Sequence, residues 1–264
     1  NFGTMTKPFN AGHAAKDGVI AAMLAKQGFT ADVSIFDGKN GFLSTYGGED
    51  GQPLSELLGR LAQPWEVIQP GLFFKRWPCC YCNHRSIGGL LQMIPEHGLT
   101  PDEIEAIEIG FPPGSDTALI AKDPRTGLQG KFSIEYVAAA TLLDGKVTLE
   151  SFTDEMVNRP EVRRLMQKVR RYRIEDSRTF AGTVGYNDLM VRTRRGEFKM
   201  HVDKTPGSPV WPVSADERDE KFLDCAGLVL SGAEARKLLD LLLNCQSLAD
   251  VGLLAQATAP RGNP

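Results

Sequence analysis

Apolar residues recur at three- and four-residue spacing between positions 11 and 27 (Ala15, Val19, Ala22, Met23), and Gly28 follows the last of them. That spacing predicts a helix over 11–27 with a glycine stop. Gly12, Ala15, Gly18 and Ala22 make one side of it very small. Small residues allow another helix to approach closely, at about 1 kcal/mol of lost propensity per glycine, so a buried, tightly packed helix is expected. The glycine-rich stretch 37–51 reads as a loop and 54–61 as a short helix. Residues 65–74 alternate and are rich in β-formers, and 104–111 alternate strictly, so both read as strands. Helices are expected over 86–93, 133–143, 153–156 and 161–169, the second ended by Asp144-Gly145. Three more strands are expected over 169–175, 188–193 and 197–202, the last two forming a hairpin through Arg194-Arg195-Gly196. Beyond a proline-rich linker (203–213) only helical patterns remain, over 215–226, 231–243 and 247–254.

The order is helices, a mixed stretch, then helices again. The fold class it predicts is α+β: a helical domain into which an α+β segment is inserted. The expected divisions are 1–63 and 206–264 for the helical domain and 64–205 for the insertion.

Composition narrows the classes. The chain has 264 residues, 42% hydrophobic and 24% charged, with a formal net charge of −3. Disordered, collagen-like and disulfide-scaffold classes are excluded by those values. Near-neutral charge gives no general field to draw nucleic acid or a membrane surface. Apolar runs such as 137–143 are far too short to cross a bilayer. No secretory signal is visible, and five cysteines, an odd number, suit a reducing cytoplasmic setting. The sequence opens on Asn1-Phe2-Gly3 without an initiator methionine, which reads as a truncation.

Three constellations carry candidate chemistry. Gly3-Thr4-Met5-Thr6-Lys7-Pro8 leads into the first helix, where free amides and the helix dipole favour an anion beside Lys7. His13, about one turn further on, is expected to face the same site. The second is Lys75-Arg76-Trp77-Pro78-Cys79-Cys80-Tyr81-Cys82-Asn83-His84-Arg85. It lacks the C-x-x-C spacing and the downstream ligand pair of a zinc site, so no metal is expected. Lys75, Arg76 and Arg85 instead read as a carboxylate-binding corner with His84 as proton carrier, its ordinary pKa being nearest neutrality. A histidine that merely caps the following helix is the plainer alternative. The third is a basic run, six cations between Arg163 and Arg173. Acidic residues flank it and no nucleic-acid motif accompanies it, so it reads as a solvated helix face.

Gly3-Thr4-Met5-Thr6-Lys7-Pro8-Phe9-Asn10-Ala11-Gly12-His13-Ala14-Ala15 closely resembles a motif of the MmgE/PrpD family. So do Lys75-x-x-Pro78-Cys79 with His84 downstream, Phe132-Ser133-x-x-Tyr136, Leu143-Asp144-Gly145, Pro206-Gly207-x-Pro209 and Lys221-Phe222, in family order. Asn10 replaces a histidine common in relatives, and His13 stands where arginine is frequent. The resemblance implies a helical domain with an α+β lid, an N-terminal helical part absent from this chain, and a homodimer. It implies lyase chemistry on a small di- or tricarboxylate without cofactor or metal: dehydration of 2-methylcitrate or decarboxylation of cis-aconitate, with epimerisation of iminodisuccinate as an alternative. A further alternative is an inactive fragment, or a subunit that needs a separate N-terminal segment. Lys7 and His84 are the implied catalytic pair, with Thr6, His13, Lys75 and Arg85 binding substrate.

Overall fold

The computed structural model describes residues 1–47, 54–180 and 184–258. Among them the chain forms helices α1 (Thr6–Lys26), α2 (Phe42–Tyr46), α3 (Leu54–Gly59), α4 (His84–His97), α5 (Gly127–Gly130), α6 (Ile134–Asp144), α7 (Asp154–Asn158), α8 (Pro160–Met166), α9 (Ala215–Ala226), α10 (Gly232–Leu243) and α11 (Gly252–Thr258). Its strands are β1 (Ile104–Phe111), β2 (Val169–Arg173), β3 (Asn187–Thr193) and β4 (Gly196–Val202). Local chemistry sets several of these limits. Ser133 Oγ accepts from the Tyr136 amide to start α6, and Gly145 ends it at φ 65°. Ser214 with Glu217 and Ser231 with Glu234 form capping boxes at α9 and α10.

The strands make one sheet in the order β2-β1-β3-β4, with β1 parallel to β2 and the other pairs antiparallel. In β1, Ile107, Ile109 and Phe111 are buried and join the core of α4, α6 and α8. Helix α6 is buried along nearly its whole length, from Ile134 to Leu142. Helix α4 approaches β3 and β4 through Gly89, where a Cβ would stand 2.4 Å from Leu189 and 2.7 Å from Val202. Such an approach is open only to glycine, and it fixes the height of His84, one turn earlier, over the sheet. A smaller core of Leu230, Ala235 and Leu238 holds α9 to α11 together.

This is an α+β chain, and it divides into two units. One runs from Met5 to Leu72; the other takes Phe2–Thr4 with the chain from Phe73 onward. Beyond the first few residues the contact division falls at 72/73, and α9 to α11 belong to the unit that holds the sheet.

Several expectations change. Helix α1 starts at Thr6 rather than 11, so Lys7 is helical and not in a loop. Pro8 is tolerated because a first-turn N–H has no intrahelical partner to lose. The expected burial of this helix does not occur, since no residue of α1 is buried. Its apolar residues are spread around the axis among Lys16, Asp17 and Lys26, leaving no stripe for a neighbour to cover. Residues 65–74 form no strand. Pro70 offers no ladder N–H, and Gly71 follows at φ 96°, which breaks the pleat. The loop expected at 37–51 contains α2, and its residues 48–51 lie outside those described. The last helix runs Gly252–Thr258 rather than 247–254, Ser247 ending a short 3-10 turn instead.

Candidate active site

The residues expected at the site fall into two groups, one in each unit. Thr6, Lys7 and His13 are exposed on α1. Met5 caps that helix without a side-chain hydrogen bond, and no acidic residue lies in its first turn. The positive end of the dipole is therefore not neutralised by a carboxylate of the first turn. Thr6 and His13, seven residues apart, share a helix face, whereas Lys7 projects roughly 100° round from Thr6. The expectation that His13 and Lys7 face the same way is thus corrected by the helical register. His13 Nδ1 instead meets Asp17 Oδ2 at 2.9 Å, and its ring packs edge-on against Phe9 at 5.6 Å.

Lys75, His84 and Arg85 belong to the second unit. His84 is the first residue of α4 and completely buried, sandwiched between rings. Tyr81 stacks on it at 4.9 Å and Trp77 meets it edge-on at 5.2 Å. Neither ring nitrogen has a hydrogen-bond partner of good geometry. Burial, followed by the positive charge of Lys75, pushes its pKa down to about 3; backbone groups of Trp77 and Cys79 work weakly the other way, and Lys221 adds to the fall. His84 is accordingly a neutral imidazole, not a group poised at neutrality. Sequence position alone could not show this, because the depression comes from tertiary burial. Arg85 is also buried, which lowers its pKa, with Tyr81 and Cys82 opposing. Lys75 is exposed.

The three neighbouring cysteines are buried free thiols. Burial raises Cys79 to about 12, and Cys82 is raised by its contact with Cys80 and by burial. Among the described residues no three His, Cys, Asp or Glu side chains are grouped to hold a metal ion. No helix there is long and apolar enough to cross a membrane. Half of the basic run is tied internally: Arg163 pairs with Asp123, Lys168 donates to the Ile104 carbonyl at 2.6 Å, and Arg171 pairs with Glu135 at 2.9 Å. The sequence reading missed Trp77 and Tyr81 as the walls of the His84 site and Lys221 as its second cation. The one signal for Lys221 was its place in the Lys221-Phe222 pair.

Residues 77–246 match the family model of the MmgE/PrpD C-terminal domain, and residues 1–54 match that of the N-terminal domain. The chain belongs to the MmgE/PrpD family. The match at 1–54 leaves the expected absence of the N-terminal helical part without support. Among individual proteins, the chain is similar to cis-aconitate decarboxylase of Homo sapiens, at 29% identity over 96% of this chain and 53% of that protein. Cis-aconitate decarboxylase of Mus musculus is 28% identical over 97% of this chain and 53% of its own length. The namesake from Aspergillus terreus is 22% identical over 97% and 55%. The chain spans about half the length of the curated relatives it matches.

Proposed function

We propose that the chain acts in a lyase that decarboxylates cis-aconitate or a closely related small polycarboxylate, with Lys7 and His84 as its candidate catalytic residues. The observation that supports this most is the likeness to relatives named cis-aconitate decarboxylase across nearly the whole chain. The residue chemistry fits. Decarboxylation breaks a C–C bond, releases CO2 and leaves an electron pair on carbon next to a carboxylate, so it needs cations to hold charge and a group to move a proton. Lys7, with Thr6, would stabilise that charge at the open first turn of α1. Lys75 and Arg85 would anchor carboxylates and His13 would assist in binding. No cofactor or metal enters the proposed chemistry, and a homodimer in the cytoplasm is the proposed state.

His84 has a defined part in this reading. As a neutral imidazole it is ready to accept a proton. A bound polycarboxylate would offset the charges of Lys75 and Lys221 and raise its pKa, so that a proton taken up from solvent would be delivered to the carbanion left when CO2 departs.

The test is incubation of the protein with cis-aconitate, 2-methylcitrate and iminodisuccinate, followed by NMR. Loss of CO2 from cis-aconitate is expected, and His84→Ala should cost on the order of 10²-fold in turnover. Dehydration of 2-methylcitrate or epimerisation of iminodisuccinate instead would move the reading within the family. Turnover of none of the three would overturn it.

A further inference from the structure

A second concavity lies wholly within the unit that begins at Phe73. Its volume is about 340 Å³, and one face of α9, the loop that follows α6, and Trp77 enclose it. That size is near the lower limit of small-molecule sites. Its charges are arranged unusually. Arg76 is occupied, its guanidinium donating to the Glu217 carbonyl at 2.9 Å and to Glu220 at 3.3 Å. Four other charged groups line the same space, Lys146 and Lys221 against Glu150 and Asp224. Among the described residues none of these four has an ion-pair partner.

Lys221 is the most constrained of them. Its ammonium donates to the Lys75 carbonyl and lies 4.6 Å from the centre of the Phe74 ring, which leaves donor capacity unused. Burial lowers its pKa, as do the charges of Lys75 and Arg76, while Cys225 opposes them. A half-buried cation near Lys75 and Arg76, with no ion pair of its own among the described residues, favours a carboxylate. Asp224 stands three residues on along α9, a spacing that brings side chains of one helix face together. Leu228, one turn further, and Leu91 with the Trp77 indole give the space an apolar wall.

We propose that this cavity binds a small zwitterion, an α-amino acid with an apolar side chain. Its carboxylate pairs with Lys221, its ammonium with Asp224, and its side chain lies against Trp77. Lys221 and Asp224, three residues apart on α9, put a cation and a carboxylate on one wall of the cavity, as the two charged groups of an α-amino acid require. A plain anion would meet Glu150 and Asp224 unpaired, and a plain amine would meet Lys146 and Lys221. The cavity shares Lys221 and Trp77 with the surroundings of His84, and its binding test does not depend on lyase turnover. Since Trp77 also packs on His84, an occupant would touch a ring that frames the candidate active site.

Isothermal titration calorimetry of the full chain tests it with three probes: L-leucine, 4-methylpentanoate, which lacks the ammonium, and 3-methylbutylamine, which lacks the carboxylate. Leucine is expected to bind with a Kd of about 1 mM or tighter, and each single-charge probe roughly tenfold more weakly. K221Q and D224N should each weaken leucine by a similar factor with the far-UV circular dichroism unchanged. Because Asp224 is exposed, D224N keeps the test valid if K221Q disturbs packing. No heat with leucine up to about 20 mM, a range that covers the weakest useful affinities, would overturn the proposal. So would equal binding of 4-methylpentanoate, or wild-type affinity in D224N.

Discussion

Helices α1 and α6 are both rich in alanine, and neither has a one-sided apolar stripe, yet their fates are opposite. Every residue of α6 from Ile134 to Leu142 is buried, whereas none of the 21 residues of α1 is. The difference lies in what accompanies the small residues. In α6 the three consecutive alanines are flanked by Tyr136, Val137 and Leu142, and its only buried charge, Glu135, is paired with Arg171. In α1 the glycines and alanines are interleaved with Lys7, Lys16, Asp17 and Lys26. Small residues permit close packing; large apolar ones drive it. Burying α1 on all sides would also take its lysines out of water.

The largest effect that could break this contrast is at a glycine of the packed unit. Gly127 opens α5, and a Cβ there would stand 1.7 Å from the Phe152 carbonyl oxygen, a backbone atom that cannot step aside. Gly127→Ala should therefore destabilise that unit by about 3 kcal/mol or more. Urea unfolding would show it as a lowered midpoint with an unchanged slope. A change under about 0.5 kcal/mol, the ordinary surface range, would mean that the α5 contact is looser than the packing implies.

How much of this was legible beforehand follows the same division. Strand β1 is found where strict alternation put it, at Ile104–Phe111, and β3 and β4 fall within a residue of expectation. These strands carry their own signal, since one face meets a core made by the same unit. Helix α6 was bounded by its serine cap and Gly145. In the first unit the signals misled: β-rich residues at 65–74 read as a strand that the proline and glycine within them prevent, and the small face of α1 read as packed. For the candidate site, residue types were readable and environments were not. Nothing local in Asn83-His84-Arg85 tells that Trp77 and Tyr81 close over the imidazole and hold it neutral.

That burial gives a middle-sized prediction with a definite sign. The folded-state pKa of His84 is about 3, far below its unfolded value near 6.5, so between these pH values the unfolded chain binds a proton that the folded chain refuses. Stability is full above pH 6.5 and falls as pH drops through that window. Glu103 and Asp123, held low by Arg195 and Arg163, lose their contributions only below their ordinary carboxylate range. The interval from pH 6.5 to about 4.5 should thus report His84, with a loss of roughly 2 kcal/mol. Denaturation midpoints of wild type and His84→Gln across that interval test it: the slope should vanish in the variant. A slope equal in both would place its origin elsewhere.

The smallest effect sharpens the contrast from the other side. Gly18 lies inside α1, and a Cβ added there meets nothing within 4 Å. Replacing it with alanine removes backbone freedom from the unfolded chain and adds a better helix former, with no clash to offset the gain. Gly18→Ala should therefore stabilise the helix by about 0.5–1 kcal/mol, read as slower amide exchange within α1. The sign is the informative part. A loss of 1 kcal/mol or more, the ordinary cost of overpacking a close contact, would show that the small face of α1 is pressed against another surface in solution, and the exposed helix described above would have to be redrawn as a buried one.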